Sequence, residues 1–125
     1  MSWIRIETHG GANAFLPGES ITGSVYWELD PPVTEIELRL IWYTEGKGDQ
    51  DSQIVDTARF NNPEPAEGRG FTVRVPQGPF SFSGKLISLL WALEAVAQPN
   101  DRAERLPITV SPTRREILLQ SQTAE

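Results

Sequence analysis

The stretch from Thr44 to Asp51, TEGKGDQD, gathers residue types that cradle phosphate or calcium: two glycines, a lysine and three acids. A phosphate-cradling loop needs Gly, four residues, then Gly-Lys-Ser/Thr between a strand and a helix. Here Gly46-Lys47 is followed by Gly48, and the position five before Gly46 is Ile41, so that template fails. An EF-hand loop needs alternating acids, a glycine sixth and a glutamate twelfth. Counted from Asp49, those places hold Ile54 and Phe60. A looser calcium site of Glu45, Asp49 and Asp51 stays open. The reading that best fits the residues is a hairpin loop, with Gly46 and Gly48 at positive φ and the acids solvating its tip.

Nothing else in the chain reaches a catalytic template. The one histidine, His9, stands beside Gly10 and Gly11, without a second histidine or any cysteine to complete a metal pair. No G-x-S-x-G turn presents a serine nucleophile. The carboxylate pairs Glu35 with Glu37 and Glu64 with Glu67 read as solvated strand and loop positions. The expectation is a protein that is not an enzyme, with no catalytic residue, cofactor or metal.

The elements that would carry these residues are strands. With 125 residues, ten prolines and ten glycines, turns are frequent and long helices are disfavoured. Ser2–Thr8 alternates, with Ile4 and Ile6 opposite Trp3, Arg5 and Glu7. Ser20–Asp30 sets Ile21, Gly23, Val25, Trp27 and Leu29 against Thr22, Ser24, Tyr26 and Glu28. Thr34–Thr44 turns Ile36, Leu38, Leu40 and Trp42 inward and Glu35, Glu37 and Arg39 outward. Such period-two order marks one buried and one wetter sheet face. Asp51–Phe60 is a weaker strand with mixed faces, and residues 61–70 read as a loop. Phe71–Pro76 buries Phe71, Val73 and Val75; Ala103–Pro112 buries Leu106, Ile108 and Val110. The segment Gly84–Ala97 is ambiguous, since its leucines and alanines favour a helix. The alternating segments on either side of it need a partner, which favours a strand.

These segments predict an all-β, antiparallel, immunoglobulin-like β-sandwich of about seven strands. The boundaries are a single sandwich domain over residues 1–112 and a C-terminal tail over 113–125. The core is expected to join Trp27, Leu38, Leu40, Val73 and Trp91.

Composition bounds the partners. A formal charge of −6 and a pI near 4.8 disfavour nucleic acid and anionic membranes, both of which call for a basic surface. The absence of cysteine excludes disulfides and suits the cytoplasm. Arg5 and Glu7 exclude a signal peptide at the start, and the apolar run Leu86–Ala97 is too short to span a bilayer. The expectation is a soluble, cytoplasmic chain without membrane insertion.

Three stretches resemble the arrestin family in order and spacing. FLPGESITGSVYWEL is similar to the family's aromatic, Pro-Gly-Glu and following strand. IELRLIWYTEG is similar to the next strand with its long outward loop. FTVRVPQGPFSFSGKLISLLWALEA is similar to the later block, in which a Pro-aromatic-Ser crossover leads into a long strand. The resemblance spans roughly Phe15 to Pro112 and implies an arrestin-like sandwich, with Gly84–Ala97 a strand. It implies that Gly18 turns the chain and that Gly23 lets a bulky ring approach the backbone. Arrestins and their retromer-associated relatives have two such lobes, whereas this chain has room for one. No counterpart of the family's buried charged, phosphate-sensing cluster is legible.

The expected function is a non-enzymatic protein-interaction or scaffold domain whose partner proteins are unknown. The alternative is a small-ligand or carbohydrate-binding module, which an exposed row of aromatics would favour. Ile41 and Tyr43 on one outward face, with Leu86, Leu90 and Val96 on another, form the candidate interaction patch. Either a partner or the chain's own tail, with Ile117, Leu118 and Leu119, would cover it. A homodimer is the simplest closed solution.

Overall fold

A computed structural model describes residues 2–30, 33–48, 50–99, 102–115 and 117–118. The strands are β1 (Trp3–Thr8), β2 (Ala14–Phe15), β3 (Ser20–Glu28), β4 (Glu35–Gly46), β5 (Ser52–Asn61), β6 (Ala66–Arg74), β7 (Phe82–Ser83), β8 (Ile87–Gln98), β9 (Arg102–Val110) and β10 (Ile117–Leu118). Seven are long; β2, β7 and β10 are two-residue pairings. A small sheet runs β1-β3-β6, all antiparallel. The larger sheet runs β10-β7-β8-β4-β5, with β9 also paired to β8 and β2 to β9. Its long strands are antiparallel; only the short pairs β2–β9 and β7–β10 are parallel.

The core is what alternation demands. Ile4 and Ile6, then Ile21, Val25 and Trp27, then Phe71 and Val73 line the small sheet's inner face. Against them lie Ile36, Leu38 and Leu40 of β4, Leu89, Trp91, Leu93 and Ala95 of β8, and Ile108 and Val110 of β9. Trp27, Leu38, Leu40, Val73 and Trp91 are together in this cluster, each at most 1% exposed. Both core indoles satisfy their N–H groups, as burial requires. Trp27 Nε1 donates to the Glu64 carbonyl at 2.8 Å, and Trp91 Nε1 donates to the Pro79 carbonyl at 3.0 Å.

The ambiguous segment is a strand, β8, seated between β4 and β9. Its inward residues fill the core while Ala92 and Val96, on its second face, are also buried. Being paired along both edges and covered on both faces, the segment has no helix partner to prefer, and tertiary context overrides its propensity.

One reading needs correction. Residues 66–70 are not loop: Ala66–Gly70 opens β6 and pairs with Ser24–Glu28 of β3. Glycine weakens a strand, but here the Tyr26 ring lies where a Gly68 side chain would stand, 2.5 Å from its Cβ position. The aromatic thus covers the backbone that glycine leaves bare. The mixed faces of β5 have a cause of their own. A bulge lies between Leu40 and Ile41, so that Leu40 pairs with Asp56 and Ile41 with Ile54, leaving Val55 between them.

The glycines stand where the sequence puts them to use. Gly18 has φ of 83°. A Cβ on Gly23 would overlap the Glu7 carbonyl and lie 3.0 Å from Phe71 Cζ, so glycine lets the core ring press onto the chain.

Candidate functional site

The outer face of the larger sheet carries the most organised chemistry in the molecule. Residues paired across four strands fall into rungs. One rung holds Arg59, Glu37, Val96 and Ala103; the next holds Thr57, Arg39, Glu94 and Arg105. Then come Ile54, Ile41, Ala92 and Pro107, followed by Ser52, Tyr43 and Leu90. All of these side chains share one face, since directly paired residues point the same way.

Ion pairs run along the first two rungs without a gap. Arg59 meets Glu37 at 3.1 Å and Glu35 at 3.8 Å, Glu37 meets Arg39 at 2.8 Å, Arg39 meets Glu94 at 3.9 Å, and Glu94 meets Arg105 at 3.0 Å. Three arginines face three glutamates, so this cluster is neutral although the chain carries −6. The central members are largely covered, with Glu37 at 14%, Glu94 at 15% and Arg39 at 23% side-chain exposure. Burial raises the Glu37 carboxyl, but hydrogen bonds and charge from Arg39 and Arg59 outweigh it and hold Glu37 below the usual value. The Glu94 carboxylate, bonded to Arg105, holds that guanidinium above its usual value, with Tyr43 contributing less.

A carboxyl lowered in the folded state stabilises the fold at pH above its unfolded value. That contribution is lost as pH falls through the folded value. Glu37→Gln is therefore expected to flatten the fall in stability below the ordinary glutamate value of 4.5. Urea titrations at stepped acid pH read it, and an unchanged acid limb would show that Glu37 plays no part.

The arginines also explain which apolar residues are hidden. Arg105 is bonded to Glu94 on one rung and its guanidinium lies 4.7 Å over the Tyr43 ring, so its side chain crosses the rung of Ile41 and Ala92. Long charged side chains cover apolar surface in this way. Of the five patch residues read from sequence, Ile41 is accordingly buried, at 6%, and Val96 is buried as well, at 5%. Tyr43 and Leu90 are half-buried and face one another in register. Leu86 is 64% exposed, just before β8. Val96 stands apart from the others, beyond the rung of Arg39 and Glu94.

Sequence reading missed two neighbours. Ile54 is 52% exposed beside Ile41, and Ile87 is 36% exposed opposite Gly46. The bulge hid Ile54, because it reverses the side on which the β5 residues fall. The ion-pair rungs were legible only in pieces. Glu94 is the one charge inside the apolar run Leu86–Ala97, and that was the signal for a partner on each neighbouring strand.

The glycine-rich stretch closes the β4–β5 hairpin at this end. Thr44 N–H donates to the Asp51 carbonyl and Asp51 N–H to Thr44 Oγ1, both at 2.9 Å. Gly46 and Gly48 take φ of 135° and 90°. Lys47 N–H donates to the Leu86 carbonyl at 3.0 Å, tying the tip to the approach to β8. Asp49 lies outside the described residues, and among those described no three His, Cys, Asp or Glu residues cluster as metal ligands. Calorimetry is expected to detect no micromolar calcium binding; a saturable site abolished by Asp49→Ala would contradict the hairpin reading.

The tail contributes β10, which pairs Ile117 with Phe82 and Leu118 with Ser83. Leu119 lies outside the described residues. No helix among the described residues is long and apolar enough to cross a membrane.

Fold and outer face together define an all-β, arrestin-like sandwich lobe. Compared by sequence, the chain matches no protein-family model and no curated protein. Among solved structures it is similar to Spo0M, the sporulation control protein of Bacillus subtilis, at a TM-score of 0.64 and 18% identity. That match covers 88% of this chain and 49% of Spo0M, so the chain spans about half its neighbour's length. A β-glucosidase of Listeria innocua, solved with gluconolactone, aligns at a TM-score of 0.48 and 11% identity, over 94% of this chain and 17% of the enzyme. That second likeness is too slight to bear on function.

Proposed function

We propose that this chain is a non-enzymatic protein-interaction lobe that docks its partner at the hairpin end of the larger sheet's outer face. One observation carries the reading. Among the described residues, the exposed apolar side chains Ile54 and Leu86 stand at that end, beside half-buried Tyr43 and Leu90, with exposed Ile87 at the same end on the opposite side of β8. Apolar side chains concentrated at one end of a small domain favour burial against another protein. The rungs of paired charge beside them suit a rim, because their charges are already matched and demand no countercharge from the partner. The fold is shared with a sporulation control protein, which agrees with a regulatory rather than catalytic role.

A second copy of this chain is the occupant we name. Two copies of charge −6 repel, so they approach best where charge is balanced, and the ion-paired cluster beside the patch is balanced. A twofold axis through the patch closes the assembly. The absence of cysteine favours the cytoplasm as the setting.

A photo-crosslinking residue placed at Leu86 tests the docking face. Irradiation should give an adduct of twice the chain mass, and Leu90→Lys should remove it. Adducts only within the chain would count against the second copy as occupant.

A further inference from the structure

The outer face of the small sheet carries a second, unrelated arrangement. Arg5 lies 5.6 Å over the Trp3 ring and 5.0 Å over the Tyr26 ring, and its Nε is 2.8 Å from Glu7. Trp3 is 39% exposed. One rung further, Glu7, His9, Thr22, Ser24 and Tyr26 line a shallow cavity of about 300 Å³. From Trp3 to Glu7 the strip is about 14 Å long, at the usual rise of a strand.

Across β3 from the cavity, Gly70 pairs with Ser24. Unlike Gly23 and Gly68, it is not demanded by the fold. Its φ is not positive, and an added Cβ would meet only the Gly23 carbonyl oxygen at an ordinary 3.6 Å. A glycine inside a strand costs stability, so an unforced one leaves bare backbone where a side chain would have fitted.

We infer that this face binds a neutral saccharide chain, laid from Trp3 along the Arg5–Tyr26 rung to the cavity and the bare strip at Gly70. The charges decide against an anionic ligand, because Arg5 is already matched by Glu7 and the chain is acidic overall. The cavity's hydroxyl and imidazole groups both donate and accept, matching sugar hydroxyls that do the same. Trp3 offers the flat apolar surface on which a pyranose ring can lie.

The inference is independent of the docking face, which lies on the other sheet. Its test is titration of ¹⁵N-labelled protein with cellohexaose, maltohexaose and chitohexaose. At least one should shift the Trp3 indole and the Ser24 and Gly70 amides saturably at millimolar concentration. Trp3→Ala and Gly70→Val should each weaken that binding about tenfold, the ratio expected for one aromatic contact. Gly70→Val should keep its thermal midpoint, so the loss cannot be ascribed to unfolding. No shift with any of the three sugars, or shifts unchanged in both variants, would overturn the inference.

Discussion

Replacing Trp91 by alanine is expected to cost about 3–5 kcal/mol, the range for removing a large aromatic from a packed core. Trp91 is 1% exposed and pairs with Trp42 on one side and Ile108 on the other. It reaches the inner face at the middle of the larger sheet, and its indole N–H holds the Pro79 carbonyl. Alanine would leave a cavity that strands paired on both edges cannot collapse to fill, and would orphan that carbonyl. A domain of this size has only about 5–15 kcal/mol of stability in all, so the variant should lie near the folding threshold. Urea titration measures the loss, and a change under about 1 kcal/mol would show that Trp91 is not core.

Gly23→Ala is the second large effect, and it acts through the backbone. The new Cβ would overlap the Glu7 carbonyl oxygen of β1 and lie 3.0 Å from both Phe71 Cζ and Thr8 Cα. Two of these three atoms are backbone and the third belongs to a ring packed in the core, so none can swing aside freely. β1 would have to shift from β3 where Thr8 pairs with Gly23, and overpacking of this kind costs about 1–3 kcal/mol. Gly70→Ala is the matched control on β6, where the space is open and glycine unforced. It should be neutral or slightly stabilising. Equal stability of the two variants in urea would refute the close approach at Gly23.

The contrast between those glycines shows how far sequence alone reaches. Alternation is a local signal, and by itself it puts Trp27, Leu38, Leu40, Val73 and Trp91 in one core. The role of Gly23 was implied by the resemblance to the arrestin family, and the Phe71 ring against it agrees. Residues 66–70 were not legible, because glycine carries no pattern and β6 starts there only through pairing with β3 and the Tyr26 ring. The bulge after Leu40 is likewise a property of two strands together. It carried Ile54 to the outer face, where no period-two count along β5 would put it.

The outer face follows the same division. Tyr43, Leu86 and Leu90 were legible as outward apolar residues. The burial of Ile41 was not, because it depends on Arg105 of β9 lying across the face. The ion-paired rungs needed the register of β5, β4, β8 and β9 at once. β4 alone shows two acids and a base on its wet side, and their partners Arg59, Glu94 and Arg105 come from three other strands.

Sedimentation velocity over a range of micromolar concentrations, for the full chain and for Leu90→Lys, tests the docking face most directly. The wild-type chain should form a dimer that salt strengthens, because screening weakens the repulsion between acidic copies. Leu90→Lys should be monomeric with an unchanged circular dichroism spectrum. A wild-type chain that stays monomeric throughout, or a dimer that Leu90→Lys leaves intact, would contradict the proposal that a second copy docks on this face.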